Sequence, residues 1–203
     1  VVYRNIPENA LYMGFHMGSR LDADYYPCDV ISDVLSNGYS GRLLLRLVRE
    51  LKLFSKIDAF ISGSHFVYVG STQDGRDRDG TGQVIPGHEK VIWIYSRVAQ
   101  GVRIEDAEAA LWCELDALKQ ELVPEEELEK VRNRFESEFT FRNIGGENLS
   151  NNIALACLRG DIDSHLCEPE RYRAVTAEQV QAAAKELFRR GNSSVLYYLK
   201  GEK

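Results

Sequence analysis

The stretch "GRLLLRLVRELKLFS", Gly41–Ser55, reads as an amphipathic helix running into a strand. Leu43, Leu44, Leu47, Val48 and Leu51 recur at helical spacing on one side, with Arg42, Arg46, Arg49 and Glu50 on the other. An apolar helix stripe has to be buried against another element, so the reading depends on what flanks it. The arginines pose a separate question: they are either solvated surface charges or the lining of a site that handles a substrate.

On the N-terminal side, "ALYMGFHMGS" predicts a strand, with Leu11, Met13, Phe15 and Met17 opposed to Tyr12, Gly14 and His16. "DADYYPCDVISDVLSNG" follows as a helix, with Asp24 placed to cap it, Pro27 in its first turn and Gly38 as its stop. Ser40 is placed to cap the helix after it. On the C-terminal side, "FSKIDAFISGS", "HFVYVGST" and "KVIWIYSRVAQG" read as strands, and the Gly- and Asp-rich residues 73–89 read as a long surface loop.

Helices dominate afterwards. "RIEDAEAALWCELDALKQEL" has 3.6-residue periodicity, and Cys113 within it reads as a small buried hydrophobe. "VPEEELEKVRNRFESEFTF" opens with Pro124 at the first helical position and acids in the first turn. "ENLSNNIALACLRG" is a shorter helix. "TAEQVQAAAKELFRRGN" carries Thr176 and Gln179 as a capping box, with Gly191 near its end, and "SSVLYYLK" closes the chain as a strand. The order predicts an α+β domain over residues 1–203, a mostly antiparallel sheet with helices packed on one face.

The chain has 203 residues, a net charge of −6, 44% apolar and 28% charged residues. That composition suits a soluble domain with a core and gives no footprint for nucleic acid. No apolar run approaches the roughly 18–20 residues that span a bilayer. The opening "VVYRNIPENA" has no initiator Met, as expected of a processed product or a domain of something longer. A bacterial periplasm or cytoplasm would suit it.

Familiar chemistry does not assemble. The histidines, His16, His65, His88 and His165, are scattered, and neither H-E-x-x-H nor H-x-x-E-H occurs. Cys28, Cys113, Cys157 and Cys167 form no C-x-x-C. "DGRDRDGTGQVIP" imitates a calcium loop with Asp77, Asp79 and Gly80, but Gly75 and Pro86 stand where its first and last ligands belong. A cation-binding module using Asp74, Asp77 and Asp79 is therefore a minor alternative. No nucleophile elbow, Walker loop or dinucleotide fingerprint is present. The residues alone predict no catalytic and no metal-binding residue.

Four stretches carry a resemblance: "GSRLDADYYPCDVISDVLSNGYSGRLLLRLVRELKLFS", "VRIEDAEAAL", "LVPEEELEKVRNRFESEF" and "YRAVTAEQVQAAAKELF". In this order they resemble the second, non-catalytic domain of the insulinase or pitrilysin family of zinc metallopeptidases. The resemblance implies two related α+β domains that close like a clamshell. One would carry H-x-x-E-H and zinc. The other, matched here, would wall the chamber, help dock a peptide and hold no cofactor. The partner would lie in the same polypeptide or in a separate subunit, and the isolated domain could pair with itself. Many such domains also supply an Arg on the second helix and a Tyr seven residues later. The matching places here are Val48 and Ser55; Arg49 is one position over, about 100° around the helix, and is the candidate substrate contact. The alternative is a structural or assembly subunit with no part in proteolysis.

Overall fold

The computed structural model describes residues 1–18, 20, 22–62, 90–158 and 162–201. The expected strand "HFVYVGST" and the expected loop at 73–89, with its aspartates, lie outside the described residues. Five strands form one sheet: β1 (Val2–Arg4), β2 (Ala10–Met17), β3 (Phe54–Ser62), β4 (Lys90–Val98) and β5 (Ser193–Lys200), in the order β1-β5-β2-β4-β3. All neighbours are antiparallel except β1 and β5, which run parallel. The seven α-helices among the described residues are α1 (Tyr25–Ser36), α2 (Ile104–Gln120), α3 (Glu125–Arg142), α4 (Gly146–Leu158), α5 (Asp163–Leu166), α6 (Glu168–Arg173) and α7 (Ala177–Leu187).

The alternation in β2 sets the two faces. Leu11, Met13 and Phe15 are fully buried, while His16 is exposed. The register carries the same division across the sheet: Met13 lies opposite Ile94, which lies opposite Ala59, and all three are buried. Helices cover this face. Phe15 meets Trp112 of α2 and Phe188 just after α7 edge-on, with ring centroids 5.6 and 5.0 Å away. Edge-to-face pairs of this kind add to the burial of the rings themselves. The buried hydroxyl of Ser96, on this face, donates to the Leu11 carbonyl at 2.9 Å. The opposite face carries Trp93 and Phe60, 36% and 47% exposed, beside the packed rings of Tyr12, Tyr95 and Tyr198.

Several local expectations need correction. Asp24 does precede α1, but its side chain makes no capping bond; only its carbonyl is used, by the Cys28 N–H at 3.0 Å. Ser40 caps nothing: it ends a 3-10 turn, Gly38–Ser40, and its hydroxyl meets Lys130. Gly38 does stop α1, at φ 71°, a left-handed conformation that favours glycine. Gly41 is required for a different reason: a Cβ there would sit 2.9 Å from the Leu35 carbonyl oxygen.

The segment after Gly41 winds as a π-helix over Leu44–Glu50, with the Leu51 N–H bonded to the Arg46 carbonyl five residues back at 2.8 Å. Leu43 and Leu47 are buried, but Leu51 is 49% exposed. It stands at the end of the element, where Lys52 adopts φ 54° and turns the chain into β3. Pro124 is the N-cap of α3, one place before the expected position. Cys113 is exposed, because it sits about 200° around α2 from buried Leu111. Gly191 lies in a separate 3-10 turn and does not end α7; Phe188 does.

The capping box of α7 is present: the Thr176 hydroxyl accepts from the Gln179 N–H at 3.3 Å, and the Gln179 side chain accepts from the Thr176 N–H at 3.0 Å. Phe15→Ala should cost about 3–5 kcal/mol, because three elements lose their shared ring contact. Thr176→Ala should cost about 1 kcal/mol. Urea unfolding midpoints of the two variants check this ranking.

Candidate functional site

The helix α1 has two working sides. Cys28, Ile31 and Leu35 face the core, and burial pushes the Cys28 thiol up to about 12, which leaves it protonated and unreactive. Asp29, Ser32 and Asp33 line a cavity of about 310 Å³, walled by β3 on one side and by α3, α4 and α6 on the other. These three residues stand at i, i+3 and i+4, the spacing by which H-x-x-E-H puts its two histidines and its glutamate on one side of a helix.

Each acid on this wall has its own surroundings. The hydroxyl of buried Tyr172 donates to Asp29. Tyr172 stacks on Phe135 with centroids 3.7 Å apart, and burial first, then the Asp29 charge, raises its hydroxyl well above the ordinary value. Glu168 pairs with Arg20, and Glu138 with Arg134 at 2.8 Å. Asp33 accepts from the neutral Asn37 amide at 2.7 Å and has no ion-pair partner among the described residues. Burial, and after it the Asp29 charge, pushes the Asp33 carboxyl up to about 7; Arg134 opposes this and Glu138 adds to it.

Such a site can hold a proton or a cation. Among the described residues no three of His, Cys, Asp and Glu are gathered as a metal centre needs.

The residues singled out in Gly41–Ser55 lie elsewhere. Val48 is half-buried against the core, and the Ser55 hydroxyl donates to Glu8 at 2.9 Å. Arg42 makes a two-point bond to Glu127, at 2.8 and 3.2 Å, and Arg46 reaches Glu50 and Glu114. Those two arginines tie the π-helix to α3 and α2. Arg49 is exposed and does not line the cavity. The stripe Asp29–Ser32–Asp33 escaped sequence reading because a polar side of an amphipathic helix ordinarily faces water. Only the docking of α3 and α6, more than 90 residues later, encloses it.

Comparison with known proteins gives the family and the fold. Residues 1–135 match the profile of the peptidase M16 inactive domain. Among curated proteins none matches the chain in sequence. Solved structures share the fold. A protease from Helicobacter pylori superposes with a TM-score of 0.79 at 14% identity, over 98% of this chain and 43% of its own. An inactive peptidase domain from Bordetella parapertussis superposes with a TM-score of 0.76 at 21% identity, over 100% of this chain and 96% of its own. A peptidase M16 inactive domain from Pseudomonas fluorescens gives 0.75 at 11% identity, over 99% and 43%. The chain thus spans less than half of the Helicobacter and Pseudomonas proteins and nearly all of the Bordetella domain. The matched profile defines the class, an inactive, peptidase-like domain. The chain belongs to the M16 zinc peptidase family, as its inactive domain.

The raised Asp33 carboxyl makes a prediction. Folded protein holds this proton up to about pH 7, whereas the unfolded chain releases it near the ordinary 3.8. Stability therefore falls as pH rises through that window, where the folded state binds more protons. Asp33→Asn should be more stable than the parent at pH 8 by roughly 2–4 kcal/mol and nearly equal to it at pH 4. Thermal unfolding of both proteins at the two pH values measures the difference.

Proposed function

We propose that residues 1–203 act as one domain, the non-catalytic half of a zinc-dependent endopeptidase. The domain walls the reaction chamber and helps to dock an extended peptide, while a partner domain bearing H-x-x-E-H and zinc hydrolyses it. That partner lies in the same polypeptide or in a separate subunit. The observation that carries this reading is the cavity at β3. This strand ends the sheet among the described residues, and Ala59, Phe60 and Ile61 line the cavity beside it. A sheet edge next to a pocket is what strand addition by a peptide requires: main-chain bonds for affinity and a recess for a side chain.

The half-exposed Trp93 and Phe60 on the uncovered sheet face support packing against the second half. Without that half, the same surface offers the isolated domain a way to self-associate. Arg49, exposed on the π-helix, remains a candidate contact to a substrate or to the partner. No described helix is long and apolar enough to cross a membrane.

The assembly-subunit reading has one observation in its favour. Val48 and Ser55 occupy the places where the resembling domains supply Arg and Tyr. Two assays separate the readings. Adding this domain to its catalytic partner should raise turnover of an unstructured peptide at least about tenfold, through positioning of the substrate. Turnover that does not depend on this domain would favour the assembly role. Val48→Arg with Ser55→Tyr should leave turnover of the paired complex within about twofold, because the docking site beside Ala59–Ile61 lies about four residues along β3 from Ser55 and does not include Val48. A large gain would instead assign the substrate to the π-helix surface.

A further inference from the structure

The cavity between α1, α3 and β3 has a chemistry of its own, which peptide docking by main-chain bonds does not explain. One wall is charged. Asp33 is partly buried, and its side-chain bond comes from the uncharged Asn37 amide. Elsewhere on the wall Glu168 pairs with Arg20 and Glu138 with Arg134, Asp29 accepts from Tyr172, and Arg142, whose Nε donates to the Glu138 carbonyl at 3.4 Å, brings a positive charge to the same cavity. A partly buried carboxylate without a countercharge is costly to ionise, and an incoming cation relieves that cost.

The second wall is aromatic. Phe135 and Phe139 of α3, stacked with centroids 6.1 Å apart, line the cavity together with Ala59 and Ile61 of β3, whose side chains share the helix-covered side of the sheet. Rings of this kind cover the methylene stem of a long side chain and attract a cation to their faces. The size fits as well: about 310 Å³ is at the low end for a ligand site and suits one large side chain. Finally, the recess opens beside Ala59–Ile61 of the outer strand. A strand added there directs alternate side chains to the side of the sheet that α1 covers.

The geometry points to a subsite for the lysine or arginine side chain of a peptide lying along β3, with its stem against Phe135 and Phe139 and its cationic head on Asp33. This rests on the peptide-docking reading and narrows it to a class of side chain. A negative recess alone would also attract a free metal cation. The aromatic stem wall and an Asp33 carboxylate with no ion pair of its own among the described residues favour an organic cation on a chain.

The test uses the full 203-residue chain and four blocked, fluorescein-labelled hexapeptides of alternating valine and threonine. They differ at one central position, which is lysine, arginine, glutamine or norleucine. Fluorescence anisotropy gives each affinity at fixed ionic strength. The lysine and arginine peptides should bind at least about tenfold tighter than the norleucine peptide, a preference of the size expected for a charge pair away from bulk water. Asp33→Asn should reduce that preference below about twofold, and circular dichroism on the same sample verifies its fold. Equal binding of lysine and norleucine peptides would overturn the cationic subsite and leave peptide docking standing. A preference that survives Asp33→Asn would overturn it by placing the recognition of charge elsewhere. If none of the four peptides binds, the docking reading fails and the subsite with it.

Discussion

Phe15 lies on the middle strand, and the rings of Trp112 in α2 and Phe188 just after α7 close on it edge-on from segments far apart in the chain. That contact fixes α2 and α7 to the sheet at once. It follows from a plain constraint: a sheet with one strongly apolar face has to bury it, and helices with apolar stripes are the means available. Once α2 and α7 occupy the middle of that face, α1 is left to pack beside β3 at the end of the sheet. Its core side, Cys28, Ile31 and Leu35, is used there in the ordinary way. Its other side meets α3 and α6, and so a helix that could have been half solvated becomes the wall of a cavity.

The same constraint explains what was legible beforehand. The alternation of β2 named the buried residues one by one, because a period of two leaves no freedom once one face is covered. The Thr176–Gln179 box marked the start of α7, because it is a local bond pair that needs no distant partner. Elements that depend on remote chain were not legible. β1 is three residues long and exists only because β5, nearly 200 residues later, offers it an edge. The π-helix at Leu44–Glu50 has the apolar pattern of an α-helix, and the shift to five-residue bonds leaves no mark in that pattern. Cys113 belonged to a periodic run, yet its phase placed it outside.

The candidate site was hidden for the same reason. Its groups come from α1, β3, α3 and the region around α6, and none of those segments carries a motif. Asp29, Ser32 and Asp33 read as a solvated stripe until the other elements enclose them. The arginines of Gly41–Ser55 drew attention instead, and two of the three serve as ties: Arg42 to Glu127 and Arg46 to Glu114. Chemistry visible in the sequence was structural, and the chemistry that can meet a ligand came from tertiary packing.

The central claim is that this inactive M16 domain contributes to peptidase function by offering the edge of β3 and its neighbouring cavity to a peptide. Amide hydrogen exchange over Phe54–Ser62, measured by mass spectrometry with and without a saturating unstructured peptide, tests it most directly. Strand addition predicts slower exchange at amides of β3, with the far strand β1 unaffected. Unchanged exchange across β3 while the peptide is bound would contradict the account.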